Sequence, residues 1–353
     1  MTVLIVGAGP TGLTIALELA RRGIEAKLIE RRPEGSGLSR AAIILPRTLK
    51  ILEPSGVTQT LLAEGESVDR IMVFRDNKQA LAISSRSDTL GDGSPWAIPQ
   101  DRTEAILRDH LGRLGGEVTW STELADFQQS EDGVRVTYTD GGTDAFSYIV
   151  GADGIRSIVR KVLAISYDGI DLQETWSIAD VEVADWPYQN TVVVCLVTGG
   201  RVAVVIHMAT TRYRVISNTA QALETLPLGM NVSAVHREGK FNISVRQVNR
   251  YQVGRVFLAG DAAHCHSPVG GRGMNLGIAD GAELARRLAE GDLDGYAADR
   301  HAAGAQVIAK TEKARKFATS TSRTNRMLLT ALITAMNGLP FLQRRMKNFI
   351  LYE

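Results

Sequence analysis

Val3-Leu4-Ile5-Val6-Gly7-Ala8-Gly9-Pro10-Thr11-Gly12 carries an apolar run into a glycine-rich turn at the start of the chain, and Glu30 follows eighteen residues past Gly12. The four apolar residues read as a buried parallel strand. Leu13, Ala16, Leu17 and Ala20 recur at helical spacing, and Ala26-Lys27-Leu28-Ile29 makes a second strand. That is one βαβ unit. Gly7 permits the tight turn, Gly9 lets the backbone approach a pyrophosphate, and Gly12 allows close packing of helix on strand. The helix N-terminus offers unpaired N–H donors to phosphates, and Glu30, ending the second strand, can accept from ribose hydroxyls. A GxGxxG alone is a weak signal; with strand, helix and acid in place it reads as a dinucleotide site.

Composition bounds the rest. With 353 residues and 44% hydrophobic content, the chain can bury a large core and is expected to form two intimately joined domains. The net charge of +1, with both signs interspersed, argues against nucleic acid as a partner. Only Cys195 and Cys265 are present, in no CxxC pair, which predicts a reducing compartment and no disulfide framework. Met1 leads within two residues into a core strand, so no signal or transit peptide is expected and the predicted location is cytoplasmic. The longest apolar stretch, Met327 to Met336, falls short of the roughly 20 residues of a spanning helix. It reads as an apolar helix face packed on the protein; with Arg344, Arg345 and Lys347 downstream, a membrane-surface role is the alternative.

Along the chain, a Gly-, Ser- and Arg-rich loop (Pro33 to Arg40) precedes a helix over Pro46 to Leu52, and segment 65 to 99 reads as irregular. A helix from Arg102 to Leu114 leads into Val118-Thr119-Trp120, a strand that extends the parallel sheet. Gly133 to Val150 alternates in strand fashion around Asp140-Gly141-Gly142, which predicts a hairpin or meander. Segments 176 to 183, 191 to 197, 202 to 208, 213 to 218 and 241 to 247 suggest a second, largely antiparallel sheet, and from Glu283 the pattern turns helical.

Two further motifs place a carboxylate at a strand end. Gly151-Ala152-Asp153-Gly154-Ile155-Arg156-Ser157 follows Tyr148-Ile149-Val150, and Gly260-Asp261-Ala262-Ala263-His264 follows Arg255-Val256-Phe257-Leu258-Ala259. Open α/β sheets bind ligands at that edge, so Asp153 and Asp261 should face the crevice opened by the first motif. Downstream, Ser267-Pro268-Val269-Gly270-Gly271-Arg272-Gly273-Met274-Asn275 lets backbone amides approach a flat ligand before a helix begins. Such amides would stabilise negative charge on a flavin's pyrimidine edge.

With these residues in family order, the chain resembles the class A flavoprotein monooxygenases, the para-hydroxybenzoate hydroxylase-like FAD-dependent aromatic hydroxylases. The likeness rests on GAGPTG at 7 to 12, SRAAIILPRTL at 39 to 49, Pro99-Gln100, GADGIRS at 151 to 157 and the GDAAH to GGxGMN block, and it covers nearly the whole chain. It implies an α/β fold: a Rossmann-type, glutathione reductase-like FAD-binding domain interleaved with a mostly antiparallel β-sheet substrate domain and C-terminal helices. The boundaries expected are 1–64, 100–164 and 251–290 for the FAD-binding domain, 65–99 and 165–250 for the substrate domain, and 291–353 for the helical region.

The resemblance also implies roles for single residues. Gly7, Gly9, Gly12 and Glu30 hold the ADP half of FAD, and Pro10, Thr11, Arg31 and Leu124 count among the cofactor-binding positions. Arg40 and Gln100 match residues that touch the isoalloxazine side, and Asp261 matches the acid bonding the ribityl chain. Asp153 lies in the segment shared between FAD and NAD(P)H, while Pro268, Gly271, Gly273, Met274 and Asn275 match the loop beside the flavin ring. Arg272 departs from the family, which usually has Gln there. Its cation either favours an anionic reduced flavin or points to solvent.

The activity so implied is NAD(P)H- and O2-dependent hydroxylation of an aromatic or polyketide-like small molecule through a flavin C4a-hydroperoxide. FAD would be held tightly and NADPH or NADH would visit transiently, since a second GxGxxG is lacking. The cofactor performs the hard step, so no catalytic residue is assigned. A flavin-dependent dehydrogenase or reductase on the same fold and a non-catalytic FAD-binding accessory protein remain as alternatives. The expected assembly is a monomer or homodimer.

Other constellations are weaker. Asp261, His264, Cys265 and His266 offer neither HxxxH nor a partnered CxxC, so no metal site is expected, and a Gly-x-Ser-x-Gly elbow is absent. For the substrate pocket, Trp96, His207, Arg212 and Arg246 are the candidates, with Met208, Tyr213 and His236 nearby in sequence. A lone His or Arg on such strands is more often a satisfied structural residue than a substrate base.

Overall fold

Thr2–Val6 is the centre of a six-stranded sheet, and its register, with Leu4 opposite both Ile149 and Lys27, fixes everything around it. The computed structural model describes residues 1–35, 41–86 and 93–351. Across the sheet run Gln252–Val253, Val256–Leu258, Tyr148–Gly151, Thr2–Val6, Glu25–Ile29 and Val118–Thr119, all parallel except the first. Val3, Leu4 and Ile5 are fully buried, as expected of a parallel strand covered on both faces, and this is why they form an uninterrupted apolar run. Helix Pro10–Arg21 starts with proline at its first turn, where the missing N–H costs nothing. Helix Gly273–Glu290 packs against it through Gly277 and Gly281, whose added Cβ atoms would fall 2.3 Å from Thr11 Oγ1 and 2.9 Å from Thr11 O.

Leu124–Gln129, Val134–Tyr138 and Thr143–Phe146 form a separate antiparallel meander. The turn read at Asp140-Gly141-Gly142 closes it, with Gly141 at φ +88 and Gly142 N donating to Asp140 Oδ1 at 2.9 Å.

The second large sheet has eight strands in the order His264–Cys265, Ala234–Val248, Tyr167–Glu182, Arg212–Ser217, Arg201–Ala209, Thr191–Val197, Arg70–Arg75 and Lys78–Ser84. All pairings are antiparallel except Thr191–Val197 with Arg70–Arg75. The described part of segment 65 to 99, residues 65–86 and 93–99, is therefore largely strand rather than irregular. Ile71-Met72-Val73-Phe74 is an apolar run without alternation, and it hides its strand character because both of its faces are covered. Tyr167–Glu182 spans 16 residues, longer than its sequence signal, because its first half is polar and exposed.

One face of this sheet carries Phe74, Val181, Cys195, Val205, Tyr213 and Val215 and is closed by Trp186 and Ala222. The other face carries Val204, Ile206, Met208 and Ile216 and packs on Ala42, Val68 and Ala97. A small sheet of Ile43–Ile44, Trp96–Ala97 and Glu66–Ser67 supplies that contact and ties the two large sheets together.

Three helices, Tyr296–Ala318, Arg323–Gly338 and Pro340–Leu351, end the chain. The apolar stretch near 327 to 336 lies in the second and packs Ile333 and Met336 on Leu81 and Ile83. Among the described residues no helix is long and apolar enough to cross a membrane.

Candidate cofactor and substrate site

The three glycines of the first turn have different duties. Gly7 sits at φ +105, and an added Cβ would lie 2.5 Å from Ala152 O; the Cβ of a residue at 12 would lie 1.9 Å from Gly7 O. Both are demanded by the fold itself. Gly9 has φ −79 and ψ −178, backbone that any residue adopts, and a Cβ there would meet nothing within 4 Å. Space beside the start of helix Pro10–Arg21 is the one thing that glycine 9 preserves, and uncapped helix N–H groups line it.

Glu30 is buried and accepts from Ala8 N at 3.0 Å, Arg32 N at 3.1 Å and Arg32 Nε at 2.9 Å. Burial pushes its carboxyl up, but the Arg32 and Ala8 hydrogen bonds outweigh this and hold it below the usual carboxylate range. Arg31 points elsewhere, exposed and 3.9 Å from Glu123. Leu124 is buried in the core of the first sheet. A cleft of about 370 Å³ lined by Pro33, Glu34, Asp101, Glu104, Arg108 and Trp120 lies alongside. In it, burial raises the Glu104 carboxyl to about 6, although Gln100 Nε2 donates to it at 2.8 Å.

Asp153 accepts from Ile158 N at 2.7 Å and Val159 N at 3.3 Å through Oδ2, while its buried Oδ1 has no partner. Burial raises its pKa. At the second motif, Asp261 is exposed at the crevice edge, and its carbonyl accepts from Tyr167 Oη at 2.9 Å. Beneath it lies a network that sequence reasoning missed. Asp280 accepts from Gly260 N at 2.9 Å, His264 Nε2 at 2.6 Å and Arg300 Nε at 2.6 Å. Burial raises the Asp280 carboxyl, but His264 and Arg300 pull it below its ordinary value. Thr11 fills the gap between Gly260 and Gly277, so it joins this turn to the first one.

In the loop from Pro268 to Asn275, Gly271 takes φ +62 and its added Cβ would touch Ile43 at 3.4 Å. Asn275 spends its side chain on protein: Oδ1 accepts from Leu45 N at 2.8 Å, and Nδ2 donates to Ile43 O at 2.9 Å and Gly271 O at 2.7 Å. What this loop presents outward is the N-terminus of helix Gly273–Glu290, with Met274 buried behind it. Arg272 is buried, which rules out the solvent-pointing alternative. His266 donates Nδ1–H to Ser267 O at 2.8 Å and leaves Nε2 buried and unpartnered; burial lowers its pKa to about 4.

Facing these turns is the inner face of the eight-stranded sheet. Gln100 holds the Ala41 backbone from both sides, with Gln100 N donating to Ala41 O at 3.1 Å and Ala41 N to Oε1 at 3.2 Å. Arg40, next to it, lies outside the described residues. Arg214 is wholly buried, pairs with Asp180 through two 2.7 Å bonds, and donates Nη1 to Ala41 O at 2.9 Å. Arg212 lies on this face, two residues away, with its Nε buried and unpartnered.

His207 is on the opposite face, stacked on Tyr213 at 4.8 Å and accepting from Asn190 N at 3.1 Å. Trp96 packs in the small sheet at the boundary. Arg246 is engaged with Asp171 at 2.8 Å and Tyr167 O at 3.0 Å, near Cys265. The structure thus brings Arg212 to the face that carries Arg214 and meets Ala41, and separates it from His207. The Arg212-x-Arg214 spacing was the available signal for the Arg214 pair.

A family model described as FAD binding domain matches residues 1–223 and 209–311. A flavin-dependent monooxygenase of Mycobacteroides abscessus is 33% identical over 348 residues, which cover 87% of this chain and 73% of that protein. The 6-methylpretetramide 4-monooxygenase of Streptomyces rimosus is 34% identical over 346 residues, covering 88% of this chain and 61% of that protein. Among solved structures, p-nitrophenol 4-monooxygenase from Pseudomonas putida superposes with a TM-score of 0.87 at 20% identity, covering 100% of this chain and 99% of the other, a likeness of fold.

Proposed function

The chain belongs to the FAD-binding family of flavin-dependent aromatic monooxygenases, and from that premise we propose that it uses NAD(P)H and O2 to hydroxylate an aromatic or polyketide-like small molecule. The observation that carries the reading is the open space kept by Gly9, a glycine required by neither backbone conformation nor packing. It fits a pyrophosphate on the N-terminus of helix Pro10–Arg21. Glu30 would take a ribose, and Asp261 the chain leading to the flavin.

Helix Gly273–Glu290 starts four residues before Gly277, its contact with Thr11 near the start of the first helix. Its N-terminus therefore reaches about 6 Å further toward Ile43. That offset suits a cofactor whose pyrophosphate rests on one helix and whose pyrimidine edge rests on the other.

Bound FAD supplies the redox and oxygen chemistry. The protein binds, orients and excludes water. Gln100 and Arg214 fix the Ala41 backbone between cofactor and substrate sides, the inner sheet face offers an apolar wall through the half-buried Val204 and Ile216, and Arg212 offers a cation to an electron-rich substrate's oxygen. A nicotinamide would supply the reducing equivalents, and with no second GxGxxG in the chain it would be held only transiently. Anaerobic stopped-flow reduction of the FAD-loaded protein by NADPH and NADH, with and without phenols and polycyclic aromatics, tests this. A compound that accelerates reduction identifies the substrate class, and a flavin that neither donor reduces removes the reading.

A further inference from the structure

A second cleft, of about 430 Å³, opens at the far end of the eight-stranded sheet and is lined by Arg75, Thr321, Arg323, Arg326, Met327 and Thr330. Arg75 closes strand Arg70–Arg75. The other end of that strand adjoins Asn190 and Ser67, beside the small sheet that flanks the cofactor crevice. Some 17 Å of strand, at about 3.3 Å per residue, separates the two places.

Three guanidinium groups share this cleft, and among the described residues none of them forms an ion pair with a carboxylate; Arg75 donates to Thr330 Oγ1. The neighbouring acid, Asp76, is turned away and accepts from Thr198 N at 2.9 Å and Thr198 Oγ1 at 3.1 Å. Helix Arg323–Gly338 begins at the cleft, and its N-terminal residue Ser322 gives no side-chain cap, so first-turn N–H groups and the positive end of the helix dipole add to the same field. From Arg323 to Leu351 the chain carries Arg323, Arg326, Arg344, Arg345 and Lys347 and no Asp or Glu, although the whole protein is nearly neutral at +1. Three like charges held together with no counter-charge among the described residues repel one another, and an anion among them relieves that cost. Guanidinium forks, a hydroxyl and free backbone N–H groups are the donor set that suits phosphate oxygens.

We infer that the cleft between Arg75 and the start of helix Arg323–Gly338 is a binding site for a phosphate-bearing ligand. The exposed Met327 on one wall accepts an apolar portion next to the phosphate. Both a phosphorylated small molecule and a phospholipid headgroup carry this chemistry. The site is separate from the flavin reading and stands or falls without it.

The test uses protein saturated with FAD, so that the turn at Gly9 is not competing for phosphate. Inorganic pyrophosphate is titrated by calorimetry at fixed ionic strength. In parallel, the protein is sedimented with phosphatidylcholine vesicles with and without phosphatidic acid. Both are repeated with the Arg323→Gln/Arg326→Gln double variant, whose positions, exposed and half-buried, lie outside the core, and with Arg75→Gln.

Saturable pyrophosphate binding weakened about tenfold or more in the double variant supports the site for free phosphate ligands. Sedimentation with phosphatidic acid vesicles alone, lost in the same variant, supports the site with a lipid headgroup as occupant. Absence of both, or binding that the variants leave unchanged, overturns the proposal.

Discussion

Asp280 accepts a hydrogen bond from His264 Nε2 at 2.6 Å, with neither side chain reached by solvent, and the same carboxylate accepts from the Gly260 amide at 2.9 Å. A residue on helix Gly273–Glu290 thereby sets the turn that carries Asp261. Arg300 supplies the remaining charge. Removing one member of a buried ionic network leaves the others uncompensated, so Asp280→Ala is expected to destabilise the protein by about 3–5 kcal/mol. Urea denaturation with and without FAD measures this, and the loss should persist without cofactor because the network is internal.

Gly9→Ala should behave in the opposite way. The backbone there suits alanine and the new methyl group meets no protein atom, so the FAD-free protein is expected to gain about 0.4–1 kcal/mol. FAD affinity, read by fluorescence titration, should fall about tenfold or more, which corresponds to roughly 1.4 kcal/mol. Gly12→Ala, which drives a Cβ to 1.9 Å from Gly7 O, should damage folding as well as binding.

Glu104 gives a pH signature. Burial raises its carboxyl to about 6 from an ordinary 4.5, so the folded state holds the proton to higher pH than the unfolded state does. Its most favourable contribution is present below 4.5 and is lost as pH rises through about 6. Glu104→Gln should therefore be more stable than the parent at pH 7 to 8 by up to about 2 kcal/mol, and the two should converge toward pH 4. Denaturation midpoints across that range check the sign.

Asp180 and Arg214 form a paired charge with no solvent access to the guanidinium. Asp180→Ala should cost about 3–5 kcal/mol, whereas the Asp180→Leu/Arg214→Met double variant should recover much of that loss. In thermal melts the double variant should be the more stable, and its substrate response should still be impaired because Ala41 O has lost one of its two donors.

Arg212 and His207 separate by face. Arg212→Ala is expected to reduce substrate-stimulated flavin reduction with little change in stability. His207→Ala, which empties a stacked position beside Tyr213, should lower stability and leave that stimulation intact. Paired melting and stopped-flow measurements distinguish the two.

The first βαβ unit was legible because each residue there obeys one local rule: Val3 to Val6 cannot be exposed, Gly7 and Gly12 have no room for a side chain, and Glu30 ends its strand. The meander was legible for the same reason, through Asp140-Gly141-Gly142. What escaped depends on contacts between distant segments. Strand Arg70–Arg75 pairs with Thr191–Val197, more than a hundred residues away, so no local alternation marks it. Asp280 looks like an ordinary helical acid until Gly260, His264 and Arg300 surround it. His207 and Arg212 are five residues apart across a turn, and the register shift between His207 and Ala209 makes it hard to read from sequence that they lie on opposite faces.

Oxygen transfer on a flavin held by the Gly9 turn, as proposed above, leaves an isotopic signature in the product. The most direct measurement is mass spectrometry of the product formed from NADPH and an aromatic substrate under isotopically heavy oxygen gas. One heavy oxygen atom is expected in the product, with loss of this incorporation in the Gly9→Ala protein at limiting FAD. Product formed without heavy oxygen, or with oxygen drawn from water, would contradict it.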